Sequence, residues 1–163
     1  MPSPLATSPI MSTLIEPLTA SLAGLVAAIC MTLVEIPFWR KWGMEGVAEW
    51  QVNSVIVWVM IRKFTRKRVV TSMSVAMHLF HGAVLGLLFL VFLDLLQTAN
   101  VLPTVLVYAL VYSVLLWIVS PYLTRNLFAS VGGFRITRQG LTVSFLGHII
   151  YGVFLGFLVG ILV

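Results

Sequence analysis

From Leu141 to Val163 the chain carries no Asp, Glu, Lys or Arg, and three earlier stretches are nearly as bare: Leu18 to Phe38, Val69 to Leu96 and Thr104 to Leu123. A hydrocarbon layer about 30 Å thick is crossed by about 20 helical residues, so each stretch is long enough to span a bilayer. Inside that layer backbone N–H and C=O groups find no water, and a continuous apolar run satisfies them by closing its own helical bonds. Composition agrees. The chain is 60% hydrophobic and 9% charged, with a mean hydropathy of +1.07, whereas soluble domains carry about 25% charged residues. The expected fold is therefore all-α: one transmembrane domain over residues 17–163, with a flexible outward-facing tail over 1–16. Pro17 and Pro103 stand just before two of the runs, where a fixed φ suits the first helical turn.

Charge placement gives the expected orientation. All ten Lys and Arg lie in two connections: Arg40, Lys41, Arg62, Lys63, Arg66, Lys67 and Arg68 between the first two runs, and Arg125, Arg135 and Arg138 between the last two. The opposite connections offer only Glu16 and Asp94. Positive residues stay on the cytoplasmic side, so the chain reads as a multi-pass protein of the cell membrane with both termini outside. The net charge of +5 needs no nucleic acid to explain it, because a basic rim meets anionic lipid. The first 25 residues hold no Lys or Arg, so the basic start of a secretory signal is missing and run one is expected to remain as a span. Cys30, the one cysteine, lies mid-span and reads as a packing thiol.

The same polar and small residues recur seventy positions apart, Ser74-x3-His78-x3-Gly82-x3-Gly86 and Ser144-x3-His148-x3-Gly152-x3-Gly156. The spacing places a hydroxyl, an imidazole and two bare backbone patches on one side of each helix. Run one carries its own small series at Ala20, Gly24, Ala28 and Thr32, and run four continues its series to Gly160. Lipid tails give helices no hydrophobic reason to pair, so cohesion must come from close backbone approach along such stripes. Two tandem helix hairpins forming a four-helix bundle follow from this repeat. The two His-x3-Gly-x3-Gly helices, with the small stripe of run one, resemble small prokaryotic four-helix integral membrane proteins, a resemblance that implies a fold and no activity.

Residues 43–66 break the symmetry. Val55 to Ile61 is apolar but too short to cross, Glu45, Glu49, Gln51 and Asn53 precede it, and Arg62, Lys63, Arg66, Lys67 and Arg68 follow. An interfacial amphipathic helix is expected, with Trp39, Trp42, Trp50 and Trp58 at headgroup depth and the basic cluster binding lipid phosphates. A docking surface for a partner protein fits the same pattern.

His78 and His148 follow Arg68 and Arg138 by ten residues each, so the two rings are expected at similar depth. Three readings fit them. As polar glue, each ring bonds a Ser, a Tyr or a carbonyl on a neighbouring helix. As cofactor ligands, His78 and His148 hold a b-type haem, with Gly82 and Gly152 clearing space for the macrocycle. As a metal or proton site, Glu35 joins His78 and His81. No phosphate-binding glycine loop, Cys/His zinc spacing or nucleophile elbow is present, which removes the commonest warrants for catalysis. The function expected from sequence is that of a small membrane subunit, not an enzyme, packing with a larger membrane complex or with its own copies. A haem- or metal-binding redox protein is the second reading, and a transporter or channel component the third.

The charge pattern generates a topology test. With Cys30 replaced and single cysteines placed at Ser3, Thr98 or Gly132, the first two are expected to label from outside and the third only after permeabilisation. External labelling at Gly132 would overturn the orientation.

Overall fold

The computed structural model of the protein describes residues 9–43, 47–60, 67–97, 101–128 and 137–163. Five helices appear in chain order: α1 (Pro9–Trp42), α2 (Ala48–Met60), α3 (Lys67–Leu95), α4 (Leu102–Phe128) and α5 (Arg138–Leu162). Among the described residues there is no strand. Spans long and apolar enough to cross a bilayer lie at Ile15–Trp42, Thr71–Leu95, Leu102–Ser120 and Arg138–Leu162. The chain is thus a multi-pass helical membrane bundle. Helix α1 begins at Pro9, ahead of the start expected at Pro17, which lies inside it together with Pro37. Each interior proline leaves the carbonyl four residues earlier without its helical donor. The expected lipid-binding residues Arg62, Lys63 and Arg66 fall outside the described residues, as do the side chains of Lys67, Arg68 and Trp58.

The helix ends follow local chemistry. Gly43 takes φ +78° and donates its N–H to the Trp39 carbonyl at 2.9 Å, the left-handed stop that glycine makes without steric penalty. At the start of α5 the Thr137 hydroxyl accepts from Gly140 N–H at 3.0 Å, satisfying one of the donors that a helix N-terminus leaves open.

Two antiparallel pairs form the bundle, and both are built on glycine. A Cβ added at Gly24 would strike the Gly82 carbonyl and lie 2.7 Å from the Gly86 Cα. One added at Gly86 would strike the Ala20 carbonyl, and one at Gly82 would strike Ala28. Helices α1 and α3 therefore touch backbone to backbone along Ala20, Gly24 and Ala28. The second pair repeats the device. Added Cβ atoms at Gly152 and Gly156 would lie 2.9 Å from the Ala109 carbonyl and 2.7 Å from the Ala109 Cβ, while one at Gly160 would lie 2.7 Å from a Leu102 methyl. Such closeness replaces the missing hydrophobic drive with dispersion contacts, each weak and collectively large.

The pairs join through α1 and α5, where the bare Cα of Gly147 faces Glu35 and Met31. Two tyrosine hydroxyls add cross-links to α3: Tyr151 donates to the Gly82 carbonyl and Tyr112 to the Leu85 carbonyl, each at 3.0 Å. On the fourth side α4 barely touches α3. Towards the N-terminus of α4, aromatic rings fill that gap, with Phe89 and Phe92 packed on Tyr112 at 5.3 and 5.5 Å between centroids. Towards the end that bears Arg40, Lys41 and Arg138, α2 fills it.

Helix α2 has 13 residues, too few to span, and sits where a short amphipathic helix was expected. Trp50 departs from the expectation of headgroup depth. It is fully buried, and Val47, Asn53 and Val57 are buried beside it. The ring is drawn inward because its N–H meets a carboxyl group described below.

Gly152→Leu is expected to lower the unfolding temperature in detergent well below that of Leu88→Ala. The leucine would enter the contact with Ala109, whereas Leu88 is half exposed on the bundle exterior, where truncation removes little packing. Equal midpoints would refute the close glycine packing.

Candidate functional site

Glu35 lies on α1 with no exposed surface. An unpaired carboxyl buried among apolar side chains is strongly disfavoured, so its partners define the local structure. Trp50 on α2 donates its indole N–H to Glu35 Oε2 at 2.5 Å. The Trp50 ring packs on Trp39 at 4.3 Å and on His78 at 4.5 Å between centroids. One indole thus ties α1, α2 and α3 together.

Glu49, one residue before Trp50, is buried as well, and its carboxyl faces both the Glu35 carboxyl and the Ser144 hydroxyl. Two carboxylates in contact cannot both be ionised, so the pair holds a proton between its members. The Glu49 carboxyl is pulled in both directions. Burial pushes its carboxyl up, but the hydrogen bond from Glu35, the nearby His148 imidazole and the Ser144 hydroxyl together outweigh this and hold it below the ordinary carboxylate range. Glu35 Oε1 has no donor beyond this pairing.

The imidazoles complete the site with opposite polarity. Asn53 donates its amide to His78 Nδ1 at 3.4 Å. The ring proton of neutral His78 then sits on Nε2, which is buried and has no partner. His148 Nδ1 lies 2.8 Å from the Ser144 carbonyl. A carbonyl only accepts, so Nδ1 carries a proton. At equivalent positions in the two repeats Nδ1 therefore accepts in His78 and donates in His148, an asymmetry imposed by Asn53 on α2, which has no counterpart in the second half of the repeat.

These groups line a cavity of about 380 Å³ to which all five helices contribute. Its polar wall is formed by Glu49, Asn53, His78, His81, Ser120, His148 and Tyr151, and the remainder is apolar, including Met31 of α1, Ile56 of α2, Leu85 of α3 and Leu116 of α4. The size falls in the range of small-molecule sites.

Of the residues singled out from sequence, His78, His81 and His148 converge on this cavity, and Glu35 stands behind Glu49 with its carboxyl committed to Trp50 and Glu49. The trio Glu35, His78 and His81 is not gathered as a metal-holding group, and among the described residues no set of three His, Cys, Asp or Glu is so placed. For haem, the residues fit incompletely: His78 offers an N–H at Nε2 while Asn53 occupies Nδ1. Glu49, Trp50 and Asn53 were not singled out as site residues. Their signal was their spacing, since positions 49, 50 and 53 share one helical face, opposite Gln51.

No protein-family model, curated protein or solved structure matches the chain. What the site does must be argued from its geometry.

Trp50→Phe is expected to destabilise the protein by about 1 to 3 kcal/mol, the usual penalty of leaving a buried polar atom without its partner. Glu35→Gln is expected to be milder, because its amide oxygen still accepts from Trp50 and its amide N–H can donate to Glu49. Thermal unfolding in detergent measures both. A neutral Trp50→Phe would show that the indole bond does not hold α2 in place.

Proposed function

We propose that this protein binds a small amphiphilic molecule within the membrane and acts as a transporter component or carrier, the third class named from sequence. The observation that supports it best is a cavity of about 380 Å³ with a mixed polar and apolar wall, lined among others by His78, whose buried Nε2 has no partner. Buried donors without partners are rare in folded proteins. A ligand with a polar end against the imidazoles and an apolar body among Ile56, Leu85 and Leu116 meets both halves of the cavity.

With the basic connections in the cytoplasm, as the charge distribution implies, the cavity lies in the cytoplasmic half of the bilayer. His148 is ten residues into α5 from Arg138, or about 15 Å at 1.5 Å per residue. The basic ends of α1 and α3 then meet anionic headgroups. The alternative role, a small subunit supporting a larger complex or a homo-oligomer, draws on the exposed row of Leu18, Leu22, Ile29 and Leu33 on α1. Lipid covers such a row equally well. The haem reading is disfavoured by the proton on His78 Nε2, so the purified protein is expected to show no Soret band.

Native mass spectrometry of protein extracted from membranes tests the binding reading. Wild-type protein is expected to retain a non-protein adduct that Leu116→Trp, which fills the cavity, loses while keeping its helical circular dichroism. Identical spectra for the two proteins, or a Soret band at haem stoichiometry, would contradict it.

A further inference from the structure

One wall of the cavity is not fixed by glycine packing. Helix α2 supplies Glu49, Val52, Asn53 and Ile56 to the lining, and it is too short to be anchored by crossing the bilayer. The Glu35–Trp50 bond and the contact between the Glu35 and Glu49 carboxyls hold its inner face. The carboxyl contact persists only while a proton lies between the two groups. Arg40, Lys41 and Arg138 are exposed, so among the described residues no Lys or Arg stands in for that proton.

Water does not reach the proton while α2 is seated. Glu35 Oε1 and both Glu49 oxygens have essentially no accessible surface, and Glu35 Oε2 accepts from the Trp50 indole. A carboxylate stripped of its proton in this setting needs water or a cation. Helix α2 is the element whose withdrawal admits water, because α1, α3 and α5 meet at Gly24, Gly82, Gly86 and Gly147 with no room between them.

The other groups that face the pair act in the same direction. From α5 the His148 imidazole stands near Glu49, with the Ser144 hydroxyl beside it, while the Tyr151 hydroxyl is committed to the Gly82 carbonyl. Helix α3 presents His78 and His81. Helix α4 presents Leu116, Val119 and Ser120, none of which titrates, and its Tyr112 hydroxyl is committed to the Leu85 carbonyl. With one proton on the carboxyl pair and one on the His148 ring, these three groups are together neutral. Each proton lost leaves one more negative charge in the interior, so rising pH weakens the seat of α2 and falling pH restores it.

We propose that the Glu35–Glu49 pair is a proton-binding site that gates the cavity: with the proton in place α2 is seated, and release of the proton to water goes with withdrawal of α2 towards the headgroups. Proton exchange and opening are one event, because the carboxyl oxygens meet water only once α2 has moved. Glu49 carries its charge to the interface, and Glu35 meets the water that replaces Trp50. The cavity opens beside Val119, the exposed residue of its lining. This goes beyond the binding reading by assigning what controls access, and it makes the carrier a proton-linked one.

Infrared and spin-label measurements on the same proteoliposomes test it. The absorbance of the protonated carboxyl is defined as the difference between wild type and the Glu35→Gln, Glu49→Gln double variant. In a Cys30→Ser background, a spin label at Val55→Cys on α2 reports exposure to a water-soluble nickel relaxant. A second label at Phe157→Cys, exposed on the exterior of α5, reports any general unfolding. From mildly acidic to alkaline pH the carboxyl band is expected to vanish while the α2 label becomes several-fold more accessible, with one midpoint for both and the α5 label unchanged. In the double variant the α2 label is expected to stay protected throughout. Glu35→Gln alone, whose amide donates to Glu49 without a proton to lose, is expected to keep most of that protection.

Loss of the band with the α2 label unmoved would show that the proton leaves by a relay and would overturn the gate. Equal movement of the label in wild type and both variants, or no change in band or label over the whole range, would overturn it as well. Absence of the native mass-spectrometry adduct strikes the binding reading alone and leaves the proton-driven movement of α2 standing.

Discussion

A carboxyl group with no exposed surface, set seven residues from the end of a membrane-crossing helix, governs this structure. Glu35 cannot face lipid and has no Lys or Arg beside it among the described residues, so donors must be brought to it. Helix α2 brings them. The Trp50 indole bonds one oxygen and the Glu49 carboxyl meets the group from the same helix. Once Trp50 is inside, Asn53 one turn later reaches His78 and Ser54 reaches Ser74. A short segment that could have floated at the headgroups is instead wedged between α3 and α4.

That wedge explains how a bundle this small can enclose a cavity. The glycine stripes make each hairpin so close that nothing fits within it; the space arises only between hairpins, where α3 and α4 are held apart. Aromatic side chains close one half of this gap and α2 closes the other incompletely. The polar wall comes from residues facing the gap, and the apolar wall from side chains that would otherwise meet lipid. Packing and site thus have one origin. Removing the carboxyl contact would loosen α2 and open the cavity together, which couples stability to binding as mass action requires.

Much of this was legible in the sequence because the membrane allows few solutions. Four spans follow from run length, and pairing of α1 with α3 and of α4 with α5 follows from Gly82, Gly86, Gly152 and Gly156 standing opposite small residues. The shared location of His78 and His148 follows from the repeat. What could not be read was the depth of α2. Trp50 and Trp42 are the same residue type in the same segment, yet one is buried and the other half-exposed, and the difference lies in Glu35, fifteen residues before Trp50 in the chain. Periodicity cannot register a contact set by the chemistry of a single distant carboxyl. For the same reason the two histidines looked equivalent. Only the three-dimensional position of Asn53 gives their Nδ1 atoms different roles.

The insertion of α2 is the claim on which the buried site and the cavity both depend, and disulfide trapping measures it directly. The hydroxyl oxygens of Ser54 and Ser74 lie 3.4 Å apart, so the two side chains point at each other across α2 and α3, as a disulfide between them requires. With Cys30 replaced by serine, the Ser54→Cys, Ser74→Cys double variant is expected to form an intramolecular bond rapidly on mild oxidation in membranes, with Ser54→Cys alone resisting water-soluble maleimides. Failure to cross-link, with Ser54→Cys labelled as readily as a residue in the basic connections, would place α2 at the membrane surface and contradict the structure at its centre.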